Sequence, residues 1–261
     1  MNAMNERKSH EAVVGGQFGA RAAAYLGSTV HAQGEDLDAL AILVKGKSKA
    51  RLLDLGCGGG HVSYRVASHV GHVTAYDLSP EMLEVVARAA ADRGLRNIAT
   101  EQGVAEKLPF ADETFDYVFS RYSTHHWRDF DAGLREAARV LKCGGTAAFV
   151  DAVAPGSAVL DTYLQTVELL RDPSHVRDYS RAEWDAALAR AGLVPGAARQ
   201  HRVRLQFANW IERMQTPKGQ ADAIRALQAA MSDMVTRHFN IGADGSFDLD
   251  VLLIVAEKPA R

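Results

Sequence analysis

The feature that most constrains this chain is the run Leu52-Leu53-Asp54-Leu55, which passes directly into Gly56-Cys57-Gly58-Gly59-Gly60. A short, nearly unrelieved apolar run suits a strand covered on both faces, as in a parallel sheet. Glycines at its end permit positive φ and let other groups approach the backbone, and a helix N-terminus with free N–H groups follows. The same rhythm continues downstream. His72–Asp77 reads as a second strand, and Ser79 caps a helix whose first residue is Pro80. Met82, Val85, Val86, Ala89 and Ala90 then recur at helical spacing until Gly94 stops the run. Further strands are predicted at Ile98–Gln102, Phe115–Ser120 and Thr146–Asp151. A helix carrying Leu134, Ala137, Ala138 and Leu141 lies between the last two and is expected to end at Gly144-Gly145. Strands alternating with helices imply right-handed crossovers and a doubly wound, mostly parallel sheet. The fold class is α/β.

Beyond Asp151 the pattern loosens. Ser180 and Glu183 form an S-x-x-E capping box for a helix bearing Trp184, Leu188 and Ala191, stopped by Gly192. Val203–Phe207 and Leu249–Ala256 read as strands. Between them Ile224, Leu227, Met231 and Val235 predict one amphipathic helix, with Met231 and Met234 packing it. Arg202 and Arg204 alternate along their strand and are expected to face water. Three segments result: a helical cap over residues 1–45, a cofactor-binding α/β core over 46–155, and a C-terminal part, 156–261, that completes the sheet and inserts a helical segment. Additions at both ends of such a sheet commonly wall a pocket. The 30 Lys+Arg against 32 Asp+Glu give a net charge of −2, and no block of like charge favours a polyanionic partner. Two cysteines far apart suit a reducing compartment, and Met1–Gly16 lacks a signal peptide's apolar core. With no apolar run long enough to span a membrane, a cytoplasmic protein is expected.

In an open parallel sheet, ligands bind at the carboxyl ends of the strands where strand order reverses. The glycine loop sits at such a place. Asp77 ends the second strand, 23 residues after Asp54, where a carboxylate accepts hydrogen bonds from both ribose hydroxyls. Together they predict a nucleoside-containing cofactor, against the alternative of tight strand-to-helix packing without a ligand. The dinucleotide fingerprint requires glycine at position 61, and this chain has His61. Four motifs carry a different resemblance: Leu53-Asp54-Leu55-Gly56-Cys57-Gly58-Gly59-Gly60, Asp77-Leu78-Ser79-Pro80-Glu81-Met82-Leu83, Glu106-Lys107-Leu108-Pro109-Phe110 and Arg139-Val140-Leu141-Lys142-Cys143-Gly144-Gly145. In this order the chain resembles the class I S-adenosylmethionine-dependent methyltransferases, closest to the small-molecule branch that includes the ubiquinone- and menaquinone-biosynthesis C-methyltransferases. The resemblance runs from about Leu52 to Asp151, with a looser echo over Phe18–Tyr25, and implies the seven-stranded sheet of that fold. It implies that Gly56, Gly58 and Gly60 leave room for the donor's methionine part, and that Asp54 orients its ammonium. Asp77 would hold the ribose, Leu78 and Met82 would flank the adenine, and Tyr25 would reach over the donor. Relatives usually carry Asp-Ala after the third strand. Here Val104 precedes Ala105, so backbone groups replace that side-chain contact. Arg121 would pass under the sulfonium, and the product is S-adenosylhomocysteine.

Methyl transfer needs an aligned acceptor, exclusion of water, and a base where the acceptor is protonated. Arg121-Tyr122-Ser123-Thr124-His125-His126-Trp127 falls after the fourth strand, beside the expected methyl position. His125 and His126 are the candidate bases. Adjacent residues rarely face one pocket, so at most one of the two is expected to act; the alternative is that neither does, one capping a helix and the other solvated. Tyr122, His31 and Asp151 are candidates for binding a small-molecule acceptor, with Asp151 alternatively capping the next segment. Cys57 and His61 supply two residues, too few for a metal site. Two other functions stand beside the enzyme reading: a non-catalytic donor-binding module that regulates a partner, and a nicotinamide-dependent oxidoreductase, disfavoured by His61. A nucleic-acid methyltransferase is not expected, because Ser120–Ser123 occupies the place of the Asn/Asp-Pro-Pro-aromatic tetrapeptide and no basic tail is present.

Overall fold

The computed structural model of the protein describes residues 8–19 and 34–260. Five parallel strands form its centre: β1 (Lys47–Leu55), β2 (Val70–Asp77), β3 (Ile98–Gln102), β4 (Phe115–Arg121) and β5 (Leu141–Ala154). The two-residue β6 (Tyr179–Ser180) joins only the end of β5. β7 (Val194–Leu205) and β8 (Phe247–Glu257) are antiparallel to each other, and β8 is antiparallel to β5. The main path runs β3-β2-β1-β4-β5-β8-β7, the mostly parallel sheet of seven that the resemblance implied. Strand order reverses between β1 and β4, so the loops that follow them meet there.

Helices cover both faces. They are α1 (His10–Gly19), α2 (Glu35–Leu43), α3 (His61–Val66), α4 (Pro80–Asp92), α5 (Phe130–Val140), α6 (Ala158–Arg171), α7 (Arg181–Arg190), α8 (Phe207–Met214), α9 (Lys218–Ala230) and α10 (Asp233–His238). Alternation along β1 sorts the core. Leu53 and Leu55 pack with Leu134, Ala137 and Trp184 on one face, while Leu52 packs with Leu37, Leu40 and Val66 on the other. A third cluster joins Ala152 and Ala154 to Leu164, Trp210, Phe239 and Phe247, and anchors the C-terminal insertion. The anticipated caps are formed. Ser79 Oγ accepts from Met82 N at 3.2 Å, and Ser180 and Glu183 exchange both bonds of a capping box. No helix among the described residues is long and apolar enough to cross a membrane.

Several boundaries differ from the sequence expectations, each for a local reason. The helix before Gly144 ends at Val140, and Leu141 already pairs with Phe115 as strand. The Gly144-Gly145 pair serves that strand instead: Gly144 N donates to Lys258 O, and a Cβ at Gly145 would lie 3.0 Å from the Asp116 carbonyl. β7 begins nine residues before Val203 and stops at Leu205, because its first half is an exposed edge without apolar alternation. Phe207 is the first residue of α8 and is buried. Arg202 and Arg204 reach across to Asp250 and Asp248 at 2.7 and 2.9 Å rather than simply facing water. The single inserted helix is two, broken where Met231 and Ser232 turn extended. Met231 packs on the third cluster, whereas Met234 is exposed.

Candidate active site

At the reversal point the loops after β1 and β4 touch. Gly56 (φ +70°) has Ser123 so close that a Cβ would fall 1.9 Å from its Oγ, so the crossing of the two loops requires glycine. Gly56 N and Cys57 N both donate to Tyr76 O, tying the glycine loop to the end of β2. Gly58 N donates to Asp77 Oδ2 at 2.8 Å, while Ser79 N donates to Asp77 Oδ1 at 2.9 Å. Asp77 is thus held by the backbone on both sides, and burial raises its pKa. A Cβ at Gly58 would enter open space, whereas one at Gly60 would strike the Tyr64 ring. Gly60 is a packing residue and does not line the cavity, contrary to the expectation for it.

Asp54, at the end of β1, uses only half of its carboxylate. Oδ2 accepts from Ser63 N (3.0 Å) and Ser63 Oγ (2.6 Å), both from α3. Oδ1 is buried with no partner. Burial raises the Asp54 pKa to about 6, against the bonds from Ser63. An orphaned carboxylate oxygen beside a glycine loop calls for a cationic or polar donor from outside the chain.

One cavity of about 220 Å³ opens here. Its lining takes in Asp54, Gly56, Gly58, Asp77, Leu78, Met82, Val104, Ala105, Arg121, Tyr122, His125 and His126 among the residues singled out from the sequence. Tyr25 and His31 lie outside the described residues. Tyr76 Oη donates to Val104 O at 3.1 Å, which fixes the loop after β3 where no acidic side chain is present. Arg121 is buried in an ion pair between its Nε and Asp36 of α2, with its guanidinium 4.8 Å from the Tyr122 ring centre. The carboxylate neutralises the one cation that β4 brings to this point. Tyr122 itself takes the left-handed conformation (φ 52°) as the chain turns out of β4.

At the other end of the cavity, Thr124–His126 form a single 3₁₀ turn. Asp151 holds it: the carboxylate accepts from Thr124 N (2.9 Å), Thr124 Oγ1, Ala152 N (2.8 Å) and His125 Nδ1 (2.6 Å). With its lone pairs so used, Asp151 caps the preceding loop and is not among the cavity-lining residues. The expectation that it contacts substrate is corrected: it positions His125. Both histidines line the cavity, also contrary to expectation, because the tight turn brings their rings to 4.1 Å between centres, tilted by 50°. Their environments separate them. Burial disfavours the His125 imidazolium, but the Asp151 carboxylate outweighs it and lifts the pKa to about 9. Burial, and then charged His125 beside it, drives His126 down to about 3. His126 Nδ1 donates to Ser174 O at 3.1 Å, its carbonyl accepts from His10 Nε2 at 2.8 Å, and Phe18 meets its ring edge-on.

Four of the lining residues that carried no sequence signal come from one stretch. Glu168 and Arg171 form an ion pair on α6 at 3.1 Å, and Asp172 and Asp178 follow in the segment before β6. They belong to a stretch without motif or periodicity that distinguishes it from solvated helix and loop, and only packing against β5 brings them inward.

The arrangement is thus a glycine loop beside two carboxylates, joined through one cavity to a histidine held by an aspartate. The methyltransferase domain family matches residues 53–149. Methyltransferase YcgJ of Bacillus subtilis is 35% identical over 246 residues, covering 92% of this chain and 97% of that protein. The chain belongs to the S-adenosylmethionine-dependent methyltransferases. The crystal structure of YcgJ superposes on this methyltransferase with a TM-score of 0.83 at 33% identity, covering 87% of this chain and 99% of that one. YafE of Escherichia coli (strain K12) is 46% identical over 205 residues, 78% of this methyltransferase and 99% of the relative. Demethylmenaquinone methyltransferase of Chlorobaculum parvum is 37% identical over 118 residues, 45% of this chain and 47% of the relative. That match covers less than half of each chain.

Proposed function

We propose that this methyltransferase transfers the methyl group of S-adenosylmethionine to a small-molecule acceptor held beside His125, releasing S-adenosylhomocysteine. The observation that carries this reading is the single cavity lined at one end by Asp54, Gly58, Asp77 and Met82 and at the other by His125 and His126. The residues present fit the donor. The unpartnered Asp54 Oδ1 offers an acceptor for its ammonium, and the open space at Gly58 leaves room for its backbone approach. Asp77 would take the ribose hydroxyls, Leu78 and Met82 would flank the base, and the backbone of Val104 and Ala105 would meet its edge. When bound, S-adenosylmethionine supplies an activated methyl group with its leaving group already attached.

This chain's own residues then position and exclude water. Arg121 stays neutralised by Asp36, so its guanidinium does not face the sulfonium uncompensated. His125, which Asp151 holds by Nδ1 and favours as the cation, would donate from Nε2 to an acceptor oxygen that arrives ionised, rather than take its proton. His126 fixes the turn and presents a neutral ring. Helix α1, through His10, Val14 and Phe18, and the C-terminal residues Leu205 and Met214 close the acceptor side. The test is incubation of the purified protein with methyl-labelled S-adenosylmethionine and a fractionated small-molecule extract. Label in the small-molecule fraction is expected, and label confined to protein or nucleic acid overturns the acceptor class.

A further inference from the structure

The acceptor end of the cavity contains a carboxyl group with an unanswered oxygen. Asp178 is 2% exposed, lines the cavity, and its Oδ2 is buried without a hydrogen-bond partner. Its backbone is fixed independently of the side chain. Asp178 N donates to Gln165 Oε1 at 3.0 Å, Asp178 O accepts from Gln165 Nε2 at 2.8 Å, and His175 Nε2 donates to the same Gln165 Oε1 at 2.9 Å. A fold that braces the backbone of a buried carboxyl while leaving its oxygen bare stabilises a group that something else must satisfy.

His125 stands opposite. One ligating atom each from His125, Asp151 and Asp178 lie within 4.8 Å of one another. Asp151 receives three protein donors besides His125, so it stays a carboxylate and His125 Nδ1 must donate to it. That leaves His125 Nε2 for the cavity, on an imidazole that the buried carboxylate favours as the cation. A divalent ion suits the cluster less well, because each acceptor position of Asp151 is already taken and coordination would displace a hydrogen bond. An ammonium suits it poorly too, since it would sit against the His125 cation and, on the reading above, near a sulfonium. Burial, and then the Glu168 carboxylate, push the Asp178 pKa well above the ordinary carboxylate range. What a cationic N–H donor and a carboxyl with a bare oxygen suit side by side is an oxyanion next to a hydroxyl.

We propose that His125 and Asp178 form a docking pair for an acidic vicinal dihydroxy compound of the catechol or ene-diol class, its oxyanion accepting from His125 Nε2 and its adjacent hydroxyl donating to Asp178. This deepens, and rests on, the reading of the cavity as a methyl-transfer site. Oxygens on neighbouring carbons bridge the two groups, whereas a single hydroxyl engages only one. His125 already carries its proton, so the compound binds as the anion it forms in solution, its first hydroxyl's proton having gone to water, and the bound charge neutralises the imidazolium. The anion so held is the nucleophile that an electrophilic methyl group requires.

The experiment uses 4-nitrocatechol and 4-nitrophenol, acids of similar strength whose visible bands report ionisation. Each is titrated into the full chain, with and without S-adenosylhomocysteine, in buffer containing EDTA. The catechol is expected to bind as its anion about tenfold tighter than the phenol, the worth of one buried hydrogen bond. Asp178→Leu, close to isosteric and without an acceptor, is expected to erase that preference while leaving the phenol's affinity in place. Its Tm is expected to equal or exceed that of the parent, because an unpaired buried carboxyl is removed. Asp178→Asn, which keeps one acceptor, is expected to fall between. Equal binding of the two probes, binding of neither, a preference that survives Asp178→Leu, or binding that returns only on adding Mg²⁺ would each overturn the proposal. Calorimetry with S-adenosylhomocysteine separates the two readings. Failure of that ligand to bind counts against the methyl-transfer site, and the probe titrations without it still judge the docking pair.

Discussion

Asp77 accepts one backbone N–H from the glycine loop and one from the start of the next helix, so it links the two walls of the donor site. Asp77→Ala is expected to weaken S-adenosylmethionine binding by about 1–3 kcal/mol in calorimetry, the scale of a bond to a charged group. Unchanged affinity would move the ribose elsewhere. Asp54 gives the binding a pH dependence. Burial holds its pKa at about 6 in the free protein, above the unfolded 3.8, and a bound ammonium favours the ionised form. Donor affinity is therefore expected to fall as the pH drops through about 6, and a flat profile from pH 5 to 7.5 would argue against contact with Oδ1. For His125 the shift is also upward, to about 9. Its contribution to stability is fully present below the unfolded value of about 6.5 and is lost as pH rises through about 9. Nuclear magnetic resonance should find one imidazole titrating near 9, and Asp151→Asn should bring that midpoint down. A His125 midpoint that ignores Asp151→Asn would dismiss the dyad.

At the scale of elements, the loops and caps carry the local decisions. Gly56 is the close approach on which the crossing of the β1 and β4 loops depends. Gly56→Ala adds about 1–2 kcal/mol for the left-handed conformation, before any displacement of Ser123, and the expected readout is a lower Tm together with weaker donor binding. Ser123→Gly in the same chain should restore part of both. The capping box of α7 is a separate, purely structural device. Ser180→Ala is expected to lower stability by about 1 kcal/mol in denaturant titration without altering donor affinity. These caps were legible in the sequence because a cap is a matter of residue type at fixed spacing. The true start of β7 was not, because an exposed edge strand carries no apolar alternation to read.

For the whole molecule, the Arg121–Asp36 pair is the joint between the N-terminal addition and the sheet, with both side chains at most 5% exposed. Removing one partner from a buried pair costs far more than the pair itself contributes. Asp36→Ala is expected to destabilise the protein by about 3–5 kcal/mol, and Asp36→Leu with Arg121→Met to recover much of it. A loss of under 1 kcal/mol for Asp36→Ala would show that the joint lies elsewhere. Neither residue's partner can be read from the chain, since 85 positions separate them.

The sequence by itself determined the sheet, its glycine loop, the order of its central elements and the acidic residue at the end of β2. Each of these is written in local periodicity and in glycines that only particular backbone conformations require. The distribution of labour at the far end of the cavity was decided by tertiary structure alone. The pairing of Asp151 with His125, the exposure of both histidines to one cavity and the inward turn of Asp178 depend on how β5, the 3₁₀ turn and the segment after α6 pack. Burial and charge, which set what these groups can do, are properties of that packing and leave no trace in residue spacing.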